Sequence, residues 1–197
     1  MSRVTGFVVE NGVLRWRRFL DRDECARLRR AMDRGIDDPA DIVGREIATH
    51  DQVRRTRSVE IDAAVQEWFE ARIDAIKTDL EAGLGIPLGS REGTGFLRYP
   101  VGGFYRTHRD RGEVAGWPAA ARRAVSVVVF LNSSGTSGAP DDFEGGQLVL
   151  YSGGPASSIE VVPETGLLVA FPSTSLHEVL PVRAGVRDAA ADWFYDR

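Results

Sequence analysis

The hydrophobic period of this chain changes near Gly93, and that change limits the folds open to it. Before Gly93 the apolar residues recur at helical spacing. Asp21 is placed to open a helix, with Glu24 three residues on as its capping-box partner. Cys25, Leu28 and Met32 then share one face, and Gly35 marks the stop. A second helix is predicted after Asp62, where Val65, Trp68, Phe69, Ile73, Ile76 and Leu80 form a stripe that Gly83 and Gly85 end. That stripe reads as core packing against a sheet. Ahead of both helices, Phe7 to Glu10 and Val13 to Trp16 flank Asn11-Gly12, a tight-turn signal that predicts a hairpin.

After Gly93 the pattern becomes a series of short β-rich runs separated by Gly, Pro, Ser and Asp. The runs are Gly95 to Tyr99, Ala124 to Leu131, Gln147 to Tyr151, Ile159 to Val162, Leu167 to Phe171, His177 to Val182 and Ala191 to Tyr195. Many short strands predict a sandwich or barrel. Helices first and strands after predict an α+β, mainly β fold with helices laid against one face of an antiparallel sheet. A length of 197 residues fits one domain with one sizeable core, residues 1–92 supporting residues 93–197. Two connections, 111–123 and 132–145, are long for a compact domain and read equally as lids or as plain linkers.

The net charge of −4 gives no electrostatic reason to expect nucleic acid or an anionic membrane as a partner. The basic pairs Arg54-Arg55 and Arg122-Arg123 read as solvated surface, offset by acidic residues elsewhere. Cys25 is the single cysteine, so no intramolecular disulfide forms, which fits a reducing compartment. The first residues lack the apolar core of a signal peptide, and no apolar run reaches membrane-spanning length, so the expected location is the cytoplasm.

The chemistry concentrates in the β-rich half. His108 and Asp110 lie two residues apart, a spacing that on an extended strand puts both side chains on one face. His177 is available from a distant strand. Two histidines and a carboxylate on one face of a metal leave other coordination positions open for a co-substrate and oxygen. Arg187 follows His177 by ten residues, and a buried Arg facing the metal suits a dicarboxylate, because its planar fork grips a carboxylate with two parallel hydrogen bonds. The third histidine, His50, lies in a polar segment and reads as surface.

The run from Arg98-Tyr99-Pro100-Val101-Gly102-Gly103 through Phe104-Tyr105-Arg106-Thr107-His108-Arg109-Asp110 resembles the metal-binding segment of prolyl-4-hydroxylase-type 2-oxoglutarate and Fe(II)-dependent oxygenases. The resemblance continues through Arg123, Val128-Val129-Phe130-Leu131-Asn132, Glu144-Gly145-Gly146-Gln147-Leu148 and Pro163-Glu164-Thr165-Gly166. It then takes in Phe171, Leu176-His177-Glu178-Val179, Pro181-Val182, Gly185-Val186-Arg187 and Trp193-Phe194, so that it covers residues 95 to 195. It implies a double-stranded β-helix, or jelly-roll, core. It implies Fe(II) held by His108, Asp110 and His177, 2-oxoglutarate held at its far carboxylate by Arg187 with Tyr99 as a further contact, O2 as oxidant, and ascorbate as an accompanying reductant. Trp193 matches an aromatic that follows the Arg in this family, with core packing as its expected role. Two positions depart from the pattern. Phe130 stands where some relatives have a Tyr, and Ala189 stands where many have a hydroxyl residue, so Arg187 has fewer helpers.

The implied reaction is hydroxylation of an unactivated C–H bond, with 2-oxoglutarate converted to succinate and carbon dioxide. A prolyl residue in a peptide or protein is the family analogy, and a free amino acid or secondary metabolite is the nearest alternative. A reading from another class is a jelly-roll module that binds a ligand without catalysis, against which the complete set of His108, Asp110, His177 and Arg187 argues.

Overall fold

A computed structural model describes residues 6–40, 52–113, 117–135, 142–151 and 157–197. The expectation for His50 lies outside these residues, as do parts of both long connections. The chain opens on a hairpin, β1 (Phe7–Glu10) and β2 (Val13–Trp16), turned by Asn11 and Gly12 at φ values of 50° and 76°. Helix α1 (Arg22–Arg34) follows, with both capping-box bonds between Asp21 and Glu24 formed and Gly35 at its end.

The second helical stripe is two helices rather than one. Helix α2 (Ala63–Ala75) gives way at Ile76 to α3 (Lys77–Leu84). Ile76 adopts φ −101°, ψ 4° and bonds back to Ile73, a tightened turn that redirects the axis while Ile73, Ile76 and Leu80 all stay buried. Gly83 does not stop the helix. It lies inside α3 because a Cβ there would come within 2.7 Å of Leu14 Cδ1, so its absence lets the helix press onto the hairpin. Gly85 is the stop, in the left-handed conformation.

The strands form two main sheets. The larger also contains β3 (Ile36–Pro39), β5 (Arg57–Glu60), β6 (Leu88–Arg91), β7 (Gly95–Tyr99), β9 (Arg123–Phe130), β13 (Leu168–Pro172) and β16 (Arg187–Asp196). Its order is β1-β2-β13-β9-β16-β7-β5-β3, with β6 also on β16. The smaller has the order β12 (Ser158–Val161), β11 (Leu148–Tyr151), β14 (Leu176–Val179), β8 (Phe104–His108), β4 (Arg54–Arg55). The run predicted as one strand from His177 to Val182 is cut at Leu180-Pro181, since proline has no N–H for the ladder. Its far piece, β15 (Val182–Ala184), pairs with β10 (Glu144–Gly145) instead.

Antiparallel pairing throughout both sheets gives the expected jelly-roll core, with the helices on the outer face of the larger sheet. Two apolar clusters fill the spaces between layers. Leu28, Met32, Phe69, Ile73 and Leu80 meet Val125, Val127, Val129, Ala190 and Phe194 on the helix side. Tyr99, Phe130, Leu148, Val169, Phe171 and Val179 fill the space between the sheets. Strands β9 and β16 are therefore covered on both faces, which is why Ala124 to Phe130 of β9 reads as a nearly continuous apolar run and why the charges of β16 are buried.

Charge on β16 alternates with the pleat. Arg187 faces between the sheets and Asp188 faces the helices. The Asp188 side chain is fully buried and accepts from Arg98 at 2.8 Å and from Arg29 of α1 at 3.1 Å, while its backbone N–H donates to Asn132. Four residues on, buried Asp192 accepts from Arg91 at 2.8 Å, and Arg91 reaches Glu70 and Asp74 of α2. These pairs fix both helices to the central strand. No helix among the described residues is long and apolar enough to cross a membrane.

Asp188→Ala leaves two arginines facing a buried, unpaired position, so unfolding free energy should fall by about 3 kcal/mol in a guanidinium titration; a loss below about 0.5 kcal/mol contradicts this role. Cys25 is 1% exposed, and burial first, then Glu24 and Asp21, push its thiol up to about 12. The unfolded thiol ionises near its ordinary value of about 8.5. The stabilisation from keeping this proton is therefore complete below that pH and is lost as pH rises toward the folded value. Iodoacetamide at neutral pH should label Cys25 only after denaturation.

Candidate metal centre and carboxylate pocket

The two histidines meet because β8 and β14 pair antiparallel with His177 opposite His108, their ring centroids 4.2 Å apart. A register shift lies between this pair and the next, Val179 opposite Tyr105. The extra residue lets Tyr105 and His108, three apart, both line one cavity, and their rings stack at 3.6 Å. Asp110 does not share a strand with His108 as the sequence spacing predicted. Strand β8 ends at His108, and Asp110 comes round in the following bend. That bend is tied to the turn after β13 by Arg111 N–H to the Ser173 carbonyl at 2.9 Å and by Arg109 to the Thr174 carbonyl.

The result is one cluster. Asp110 Oδ1 lies 3.4 Å from His108 Nε2 and Asp110 Oδ2 lies 3.6 Å from His177 Nε2. All three ligand atoms fall within 4.8 Å of one another. Neighbouring ligands on an octahedral metal with bonds of ~2.1 Å stand ~3 Å apart, so a small inward movement closes this set on an ion. The tautomers suit the task. His108 Nδ1 meets the Arg106 carbonyl at 2.8 Å and His177 Nδ1 meets the Ser175 carbonyl at 2.9 Å. Each Nδ1 therefore carries its proton, and each Nε2 offers a lone pair.

Electrostatics agree. Burial favours a protonated Asp110, but His177, His108 and the Ser126 hydroxyl outweigh it and hold the carboxyl well below the usual carboxylate range. Burial lowers the affinity of the His177 imidazole for a second proton, the Asp110 charge only partly restores it, and His108 lowers it further. The Ser126 hydroxyl donates to Asp110 Oδ2 at 2.6 Å and sits 2.9 Å from Ser173 Oγ. One carboxylate oxygen is thus occupied, leaving the other for a metal. Ser126 carries no motif. Its signal was a lone hydroxyl inside the apolar run Ala124 to Leu131, since a buried hydroxyl needs a partner.

A cavity of about 200 Å³ opens beside the cluster, and Arg187, Tyr99, Ala189, Val128 and Leu148 are among its walls. Arg187 is 2% exposed, with its guanidinium 4.5 Å from the Tyr99 ring and 5.1 Å from the Phe130 ring. It forms no ion pair among the described residues, and its Nε is buried without a hydrogen-bond partner. Burial lowers its affinity for its proton, partly offset by Tyr99 and Asp188. Gly146, at φ +66°, makes room for it: a Cβ there would stand 2.8 Å from Arg187 Cδ. Trp193, expected in the core, instead lines the cavity beneath Arg123 at 4.1 Å. Arg123 is anchored in turn by Glu92 at 2.6 Å. A metal-sized set of one carboxylate and two imidazoles therefore shares a chamber with a buried cation that lacks an anion among the described residues.

Residues 94–195 match a family model described as the 2OG-Fe(II) oxygenase superfamily. A PKHD-type hydroxylase of Parvibaculum lavamentivorans is 31% identical over 156 residues, covering 76% of this chain and 65% of that protein. One of Stenotrophomonas maltophilia is 38% identical over 100 residues, covering 50% of this chain and 40% of that protein. The chain thus spans between 40% and 65% of the length of these two curated relatives. The crystal structure of a Pseudomonas putida prolyl-4-hydroxylase superposes with a TM-score of 0.71 at 28% identity, covering 94% of this chain and 93% of that one. A Trichoplax adhaerens prolyl hydroxylase, solved with a hypoxia inducible factor peptide fragment, shares the fold at 21% identity and a TM-score of 0.71, covering 94% of this chain and 84% of that one.

Ser126→Ala should weaken Mn(II) or Fe(II) binding about tenfold with an unchanged far-UV circular dichroism spectrum, as read by metal titration. An unaltered dissociation constant would mean that Ser126 does not orient Asp110.

Proposed function

This chain belongs to the 2OG-Fe(II) oxygenase superfamily, and from that premise we propose that it hydroxylates an unactivated C–H bond of a prolyl residue in a peptide or protein. In this reading His108, Asp110 and His177 hold Fe(II), and Arg187 with Tyr99 holds the far carboxylate of 2-oxoglutarate. Residues 1–197 act as one catalytic unit, the first 92 supporting the rest.

The observation that carries the reading is the unpaired, buried Arg187 in the same chamber as the three ligands. A buried charge without a partner is destabilising by several kcal/mol, and an entering carboxylate offsets that cost. Evolution of a binding-only jelly roll would have no use for both a metal-sized ligand set and this cation. Bound Fe(II), with 2-oxoglutarate and O2, supplies the oxidising power for hydroxylation, and succinate and carbon dioxide leave. The chain supplies position. Arg187 fixes the co-substrate's far end by a planar two-bond grip, and the Tyr99 and Phe130 rings hold that guanidinium in place. The apolar walls Val128, Leu148, Val179 and Ala189 exclude water from the reacting end. Phe130 and Ala189 provide no hydroxyl, so Arg187 bears most of the carboxylate recognition.

The peptide substrate is supported by the prolyl-4-hydroxylase neighbour at 28% identity. Ascorbate as a reductant and the cytoplasm as location belong to the same proposal; a single cysteine and a centre that works as Fe(II) both suit a reducing compartment.

Iron-loaded protein should release succinate only with Fe(II) and 2-oxoglutarate both present. His177→Ala should abolish that release and keep the fold. Arg187→Ala should raise the 2-oxoglutarate dissociation constant by about 10- to 100-fold. Failure of the loaded wild-type protein either to bind 2-oxoglutarate or to form succinate would sink the reading.

A further inference from the structure

Two arginines at the cavity have no part in the scheme above. Arg54 belongs to β4, opposite Tyr105 of β8, and its guanidinium lies 4.7 Å over the Tyr105 ring. Arg109 stands between the ligands His108 and Asp110, is exposed, and donates to the Thr174 carbonyl. Both line the cavity together with Trp117, whose side is 41% exposed. Arg123 pairs with Glu92, and Arg111 and Arg122 pair with Asp196. Arg109 has no ion-pair partner among the described residues.

We propose that Arg109 and Arg54 bind a carboxylate of the acceptor, so that the substrate is an acidic peptide segment with Asp or Glu beside the residue oxidised. This rests on the peptide-hydroxylase reading above and names its substrate class. A guanidinium and a carboxylate form the strongest side-chain pair available at a partly solvated site. Arg54 is held by its stack on Tyr105, which rests on His108, so it loses little freedom on pairing. The exposed Trp117 indole offers an apolar face to the ring of a proline entering the same mouth. The chain as a whole carries a charge of −4, so it gives an acidic peptide no general attraction, and this local pair decides register and selectivity. A nucleic-acid backbone would require a longer run of cations than two.

The test uses the full chain, iron-loaded, with 2-oxoglutarate and three matched peptide pools. A central proline is flanked by Asp and Glu, by Asn and Gln, or by Lys; a single-stranded oligonucleotide is a fourth candidate. Oxygen gain is read by mass alongside succinate release. The acidic pool should show a kcat/KM about tenfold above the amide pool, an advantage that shrinks with added salt. R109Q and R54Q should raise KM for the acidic pool until the ratio between these pools approaches one, and R109K should retain part of the preference. Retention of charge-dependent preference in R109K separates recognition from a merely structural tie to Thr174. Equal kcat/KM across the pools, a preference for the Lys pool, or an unchanged preference in both Gln variants overturns the carboxylate assignment and leaves peptide hydroxylation standing. Succinate release with no oxygen gain in any pool, or oxygen gain in the oligonucleotide alone, overturns both.

Discussion

The structure depends on how β16 disposes of charge. A strand covered on both faces has no solvent in which to leave an ionised group, so every charge on it requires a partner. Asp188 and Asp192 find theirs on the helix side, in Arg98, Arg29 and Arg91. Arg187, one position from Asp188, faces the other way and has no ion-pair partner among the described residues, its Nε lacking a hydrogen bond. The same pleat that completes the scaffold on one side leaves an incomplete ion pair on the other, and that incompleteness is what suits the chamber to the carboxylate proposed above.

The candidate metal ligands are positioned by a similar division. His108 and His177 are fixed by strand pairing, whereas Asp110 hangs from a bend and is aimed by Ser126 across a gap between elements. Two imidazoles presented by a ladder and one carboxylate adjusted by a hydroxyl form a set with two rigid members and one trimmed member. The hydrogen bonds from Arg109 and Arg111 to the turn before His177 couple the bend to the strand that carries the opposite ligand.

Much of this was legible in the sequence where a residue's role follows from local chemistry. The hairpin at Asn11-Gly12, the capping box at Asp21 and Glu24, and the buried strands β9 and β13 are all local signals, and they formed as expected. Strands β3, β4, β5 and β6 were not legible. They are short, β3, β4 and β5 are rich in charge, and tertiary neighbours supply partners for residues such as Arg57 and Arg91. His108, Asp110, His177 and Arg187 stood out because histidine is scarce and the motif order is specific. Ser126, Arg109 and Trp117 did not, because a serine in a strand or an arginine in a loop acquires meaning only when folding places another group beside it.

The separation of layers has a consequence for durability. Iron at this cluster, as proposed, would expose the chain to stray oxidant at its centre. The described sulfur atoms, those of Cys25 and Met32, are 1% and 2% exposed and lie in the helix-side cluster, with the larger sheet between them and the metal ligands. The residues most open to self-inflicted damage are instead the rings of the chamber, Tyr105, Trp117 and Trp193. In the proposed reading, oxidant formed at the cluster would meet the chamber walls before the helix-side sulfurs, and so would touch the site before the scaffold.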